Sequence, residues 1–145
     1  MRVGREVVLP VPPAAAWAAL TDWERQAEWM RDADRVEVVS LQRAGLGTTV
    51  AVRTRVLHVP LFTERLEVVG WDPPRELRIA HRSFVRGTGT WSLGPAGTGT
   101  RFRWVEEVSL PVPVLGELAL RVYRPFMRRL MGGAMRDLQT RLGSG

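Results

Sequence analysis

The stretch Pro125-Phe126-Met127-Arg128-Arg129-Leu130-Met131-Gly132-Gly133-Ala134-Met135-Arg136-Asp137-Leu138-Gln139-Thr140-Arg141-Leu142 lies near the C-terminus of a 145-residue chain. At about 100° per residue, Phe126, Met127, Leu130, Met131, Ala134, Met135, Leu138 and Leu142 fill roughly half of a helix circumference. Arg128, Arg129, Gly132, Arg136, Asp137 and Gln139 take the other half. Burying each large apolar side chain is worth about 1.5–3 kcal/mol, so this face needs a broad cover. The helix is expected from about Pro113 to Leu142. Pro125 lacks an N–H and crowds the preceding turn, at a cost of about 3 kcal/mol in an unbroken helix. A bend or break is therefore expected near Tyr123–Pro125, after a short helical lead-in from Pro113.

Everything upstream reads as short strands and two short helices. Arg5–Pro10 is a Val-rich strand closed by proline. Val11-Pro12-Pro13 opens a short helix through Leu20, since proline fits a first turn. Thr21-Asp22-Trp23-Glu24 has the form of a capping box and predicts a second helix with Trp23, Ala27 and Met30 on one face. From Arg35 the apolar period changes to two. Strands are expected at Arg35–Gln42, Thr48–Val56, Thr63–Trp71, Glu76–Ser83, Gly87–Leu93 and Thr100–Leu110, the last being the longest. Six strands joined by short turns make an antiparallel meander, whose concave face is the obvious cover for the long helix. Alternation assigns three sets to that interior face. They are Phe102, Trp104, Glu106 and Val108; Leu77, Ile79, His81 and Ser83; and Gly87, Gly89, Trp91 and Leu93.

Composition narrows the class. Hydrophobic content of 45% with 25% charged residues fits one ordinary globular domain. No apolar run approaches the length of a membrane span, and the N-terminus carries no apolar leader, so a cytoplasmic protein is expected. The chain has no cysteine, which excludes disulfides and thiolate chemistry. Its net charge of +6 comes from arginine alone, scattered at strand positions such as Arg53, Arg55, Arg65, Arg78, Arg101 and Arg103 rather than clustered among aromatics, so no nucleic-acid partner is expected. Arg121, Arg124, Arg128, Arg129 and Arg136 fall on the outer side of the last helix.

Several segments together resemble a known superfamily. They are the opening strand, the helix from Pro13 to Trp17, Leu20-Thr21-Asp22-Trp23-Glu24 with Trp29 after it, and the Gly45-Leu46-Gly47-Thr48 hairpin. Trp71-Asp72-Pro73-Pro74-Arg75-Glu76-Leu77, Gly99-Thr100-Arg101 and the terminal amphipathic helix complete the set. This arrangement resembles the START/Bet v 1-like helix-grip superfamily (SRPBCC), in particular its polyketide cyclase/dehydrase branch. The resemblance implies one α+β domain over residues 1–145, in the order β-α-α-β6-α, with a curved seven-stranded antiparallel sheet wrapped around the long helix. It also implies a cavity for a small hydrophobic molecule. Members of the superfamily include lipid and hormone binders and aromatase/cyclases. Neither a cofactor, a metal nor an integral membrane association is expected, and the chain is expected to be a monomer or homodimer.

The chemistry-bearing candidates are few. The chain has no nucleophile elbow, phosphate-binding loop, dinucleotide fingerprint or metal-ligand helix motif. Gly45-Leu46-Gly47 reads as a hairpin turn, with no helix N-terminus to make it a phosphate cradle. Glu106 alternates with apolar residues and is expected to face inward. A buried carboxylate must be paired, protonated or wet, although a bulge would instead turn Glu106 out and Glu107 in. His81 shares the face of Leu77 and Ile79, as a satisfied core residue or as an acid or base. Facing one cavity, Glu106 and His81 could form the acid–base pair that an aromatase/cyclase needs. The expected cavity wall comprises Trp91, Trp104, Leu77, Ile79, Phe102, Phe126, Leu130 and Ala134, with Trp29 at its mouth. Trp17, Trp23 and Trp71 are expected in the structural core. Leu57–Phe62 is apolar for a connection and reads either as a loop folded over the core end or as a lid. Binding of a small hydrophobic ligand, polycyclic, polyketide or lipid, is the expected function. Cyclisation and a protein-interaction role are the alternatives.

Overall fold

Period-two patterning produces the sheet that the sequence leads one to expect. In the computed structural model, which describes residues 1–56 and 59–144, the chain runs β1 (Arg2–Leu9), α1 (Pro13–Leu20), a 3-10 helix (Trp23–Glu28), and β2 (Ala33–Val38). It continues as β3 (Thr49–Val56), β4 (Val59–Asp72), β5 (Glu76–Arg82), β6 (Arg86–Ala96), β7 (Gly99–Ser109) and α2 (Leu115–Ser144). The seven strands form one sheet in the order β1-β7-β6-β5-β4-β3-β2, and every neighbouring pair is antiparallel. Strands β2 to β7 are thus a meander, and β1 returns to pair with β7. Register shifts fall at Ala33/Arg35, Thr54/Arg55 and Val68/Gly70. Such bulges bend a strand and raise its twist, which curls this half of the sheet into a half-barrel. At Gly87, φ is 128°, and a Cβ there would sit 1.9 Å from the Glu107 carbonyl oxygen. Only glycine lets β6 approach β7 so closely.

The core lies inside the curl. Val3, Leu9, Val50, Val52, Val68, Leu77, Leu93 and Phe102 meet Ala16, Leu20 and Trp23 from the small helices and Trp29 just after them. Met131, Ala134, Met135 and Leu138 close it from α2. The two small helices cap one end of the curl. Trp17 and Trp71 pack edge to face at 5.1 Å, and the Trp23 indole N–H donates to the Arg43 carbonyl at 2.8 Å. Trp17 and Trp71 are half-buried against the core, whereas Trp23 is fully inside it.

Four expectations are corrected. Helix α2 passes through Pro125 without the break that was one of the two expected outcomes there, and it starts at Leu115, after Val114 at φ 64°. Pro125 is exposed, as is Arg121, whose carbonyl loses its helical donor, so water can satisfy the orphan and the apolar face holds the helix together across it. The capping box does not form. The Thr21 hydroxyl instead donates to the Trp17 carbonyl and ends α1, while Glu24 pairs with Arg43 at 2.6 Å. The longest strand is β4, at 14 residues, not β7. It is longer because Val59–Phe62 continue the strand rather than forming a loop or lid. Leu57 and His58, the start of that expected connection, lie outside the described residues. No helix among the described residues is long and apolar enough to cross a membrane.

Candidate functional site

Strand alternation delivers the site's polar groups to one point. On β7, Phe102, Trp104, Glu106 and Val108 are all buried, so Glu106 faces inward, 6% exposed, and the bulge that would have turned it out is absent. Across β6, the position facing Glu106 is Gly89. A Cβ there would lie 2.7 Å and 2.9 Å from the two Glu106 carboxylate oxygens, so the missing side chain makes room for the carboxylate. On β5, His81 shares the face of Leu77 and Ile79. Glu64 on β4 faces the same way, between Phe62 and Leu66 by alternation.

These residues form a chain of hydrogen bonds. His81 Nε2 lies 2.9 Å from Glu106 Oε2, and His81 Nδ1 lies 3.3 Å from Glu64 Oε1. The Trp104 indole N–H donates to Glu106 Oε1 at 2.9 Å, and the Thr54 hydroxyl donates to Glu64 Oε2 at 3.2 Å. Burial alone pulls the His81 pKa down. The hydrogen bonds to Glu106 and Glu64, with the charges of both, outweigh it and raise the pKa to about 10. Near neutral pH, His81 is therefore an imidazolium donating from both ring nitrogens to a carboxylate on each side. Asp32, in the turn just before β2, completes the group. Desolvation, aided by the charges of Glu64 and Glu106, raises its carboxyl pKa to about 6. The same carboxylates, after desolvation, push the Tyr123 phenol upward.

The cluster stands where two spaces meet. Asp32, Thr54, Glu64, His81, Trp104 and Glu106 line both. The inner space, about 90 Å³, runs beneath the small helices along Trp23, Met30, Val50, Val52, Leu66, Leu77, Ile79 and Trp91. The outer space, about 370 Å³, lies between the sheet and the first half of α2, along Phe62, Phe84, Val108, Leu120, Tyr123, Met127, Leu130 and Met131. A volume of this order falls within the range of small-molecule sites.

Of the expected wall residues, Trp91, Trp104, Leu77, Ile79 and Leu130 line this cavity. Trp29, Phe102, Phe126 and Ala134 do not. Trp29 is buried rather than at a mouth, with its ring 6.0 Å from Trp91 and 6.5 Å from Trp104. Phe102 is wholly buried and edge-on to Trp91 at 5.9 Å. Ala134 belongs to the solid core beside Met135 and Leu138, and Phe126 packs on the Tyr123 ring at 5.3 Å. For Ala134 the reason is the course of α2. Its second half packs down into the core, where Gly132 meets Arg5 and Gly133 meets Arg31, so only its first half stands off from the sheet.

Glu64, Asp32, Thr54 and Tyr123 escaped the sequence reading. Alternation carried a signal for two of them, in Glu64-Leu66-Val68 and Val50-Val52-Thr54. Helical spacing carried one for Tyr123, four residues before Met127. Asp32 had none, because its place depends on long-range anchors. Arg31 holds Asp137 of α2 through two bonds, at 3.1 and 3.2 Å, and the Asp32 carbonyl accepts the Arg55 N–H at 2.7 Å.

Comparison with known proteins places this geometry in context. A protein of Thermus thermophilus has the same fold, with a TM-score of 0.81 at 22% identity over 99% of this chain and 98% of that one. A START superfamily protein from Mycobacterium smegmatis superposes with a TM-score of 0.73 at 14% identity, covering 99% and 97% of the two chains. The di-domain ARO/CYC StfQ from the steffimycin biosynthetic pathway gives 0.74 at 16% identity over 96% of this chain, which spans 49% of that one. No curated protein matches this chain in sequence. The model of the family described as polyketide cyclase / dehydrase and lipid transport matches residues 1–143. Together with a curled seven-stranded sheet closed by a long C-terminal helix, that match makes this chain a member of the polyketide cyclase / dehydrase and lipid transport family, with the helix-grip fold of START/Bet v 1-like proteins.

Proposed function

We propose that this protein binds a small, flat hydrophobic molecule in the cavity between the sheet and the first half of α2. One observation carries the reading: the space is lined by aromatic and aliphatic side chains, and its polar groups are gathered where its two parts meet. Trp91, Trp104, Leu77, Ile79, Leu130 and Met127 supply the apolar wall, and indole faces suit stacking on an extended ring system. Glu106, His81 and Glu64 fix the orientation of whatever polar groups the guest carries. Native mass spectrometry of freshly purified protein tests this directly, with a retained small molecule as the expected result. Absence of any retained molecule, together with no quenching of tryptophan fluorescence by polycyclic probes, would refute it.

The 2.9 Å contact between His81 and Glu106 favours a second reading, a polyketide aromatase/cyclase. His81 is loaded with a proton near neutral pH. A substrate hydroxyl that displaced Glu64 from Nδ1 would receive that proton as the C–O bond breaks and water leaves, while the freed Glu64 carboxylate takes the proton from the adjacent carbon as the double bond forms. Glu106 would hold the imidazole and balance its charge. Turnover of an aromatic polyketide mimic tests this reading. If Glu106→Gln and His81→Ala process every accepted substrate at the wild-type rate, the pair is not catalytic.

A further inference from the structure

Asp32 is the odd group in the cavity. Thr54 and His81 satisfy Glu64, and Trp104 and His81 satisfy Glu106. Among the described residues the Asp32 carboxylate has no side-chain hydrogen-bond donor or cation of its own, and what it accepts from is a backbone N–H of its own residue. The nearby arginines are engaged elsewhere: Arg31 with Asp137, Arg35 with Glu37, and both Arg53 and Arg55 with Asp34. No arginine lines either part of the cavity. The wall thus carries three carboxylates against one imidazolium, a net negative field in a poorly solvated space, where charges act more strongly than in water. Among the described residues, no three such groups converge closely enough to hold a metal ion. The partner that fits is an organic cation with a hydrophobic body.

Resting on the ligand-binding reading above, we infer that the cavity's ligand carries a basic nitrogen, with its ammonium group against Asp32 and its apolar part along the aromatic wall. Tyr123 lines the outer space with Asp32 and offers a ring face of the kind that attracts cations. The anchors on either side of Asp32, Arg31 to Asp137 and the Asp32 carbonyl to the Arg55 N–H, hold the carboxylate in place before a ligand arrives. Such preorganisation removes part of the ordering cost of binding.

Three naphthalene probes of similar size separate the possibilities: naphthylethylamine, naphthylethanol and naphthylacetate, each titrated into the full chain by calorimetry. The amine is expected to bind at least about tenfold more tightly than the alcohol, and the carboxylate most weakly. Asp32 faces Glu64 from β4, His81 from β5, Glu106 from β7 and Tyr123 from α2. With His81 charged throughout, the Asp32 carboxyl takes up a proton in mildly acidic solution. Amine affinity should therefore fall about tenfold between roughly pH 7.5 and pH 5, while alcohol affinity stays level. Asp32→Asn should erase the preference for the amine, and Asp32→Glu should retain part of it. Equal binding of amine and alcohol by the wild-type protein would overturn this inference and leave hydrophobic binding standing. Failure of all three probes to bind would overturn both.

Discussion

Replacing Glu106 by Gln removes one of the two carboxylates that hold His81 charged, and it turns an amide N–H toward a ring N–H. The size of the effect follows from the imidazole. Its pKa stands at about 10 against an ordinary 6.5, and at about 1.4 kcal/mol for each tenfold this gap is worth at most about 5 kcal/mol of stability. Glu106 makes the shorter of the two contacts, 2.9 Å against 3.3 Å, so its charge accounts for the larger share, about 2–3 kcal/mol. For a chain of this length that corresponds to a fall in Tm of roughly 5–10 °C. A group whose pKa is raised on folding gives its full contribution below the unfolded value, and that contribution fades as pH climbs toward the folded one. Wild-type protein should therefore lose stability from about pH 6.5 toward pH 10. The Glu106→Gln variant should be destabilised most below pH 6.5 and approach wild type toward the alkaline end. Thermal unfolding across this range provides the assay, with proton NMR of the two histidine rings reporting the titration of His81. A destabilisation of the same size at both ends of the range, or a His81 ring that titrates near its ordinary value in the wild type, would refute the reasoning.

Other outcomes follow from the same geometry. Asp32 has its pKa raised from 3.8 to about 6 by desolvation first, so its ionisation costs stability as pH rises through that window. Asp32→Asn should gain up to about 3 kcal/mol above pH 6 and nothing below about pH 4, as judged by chemical denaturation at the two extremes. Gly89→Ala drives a methyl into the Glu106 carboxylate. It should cost about 1–3 kcal/mol and lower the His81 pKa without touching either residue chemically, which the NMR titration reads. Because α2 runs unbroken through an exposed Pro125, Pro125→Ala should restore a backbone hydrogen bond and raise stability by about 1–2 kcal/mol after the unfolded chain's gain in freedom is counted. A loss of stability there would mean that the proline's own packing matters more than the bond it removes.

The strands, their faces and the amphipathic helix were legible in the residue order. Side-chain direction repeats every two residues in a strand and about every 3.6 in a helix, so Phe102, Trp104, Glu106 and Val108 declare one buried face locally, and His81 follows from Leu77 and Ile79. The pairing of Glu106 with His81 was within reach for the same reason. Where the packing stops and the cavity begins was settled only by the assembly of distant elements. Phe126 and Ala134 carry the same helical signature as Leu130, yet only Leu130 lines the space, because Ala134 packs into the core beside Met135 and Leu138 and Phe126 packs on the Tyr123 ring. Asp32 follows no period and reaches the site through contacts to β3 and α2, more than 20 and 100 residues away in the chain. A cavity is the volume that distant elements fail to fill, and no local pattern records it.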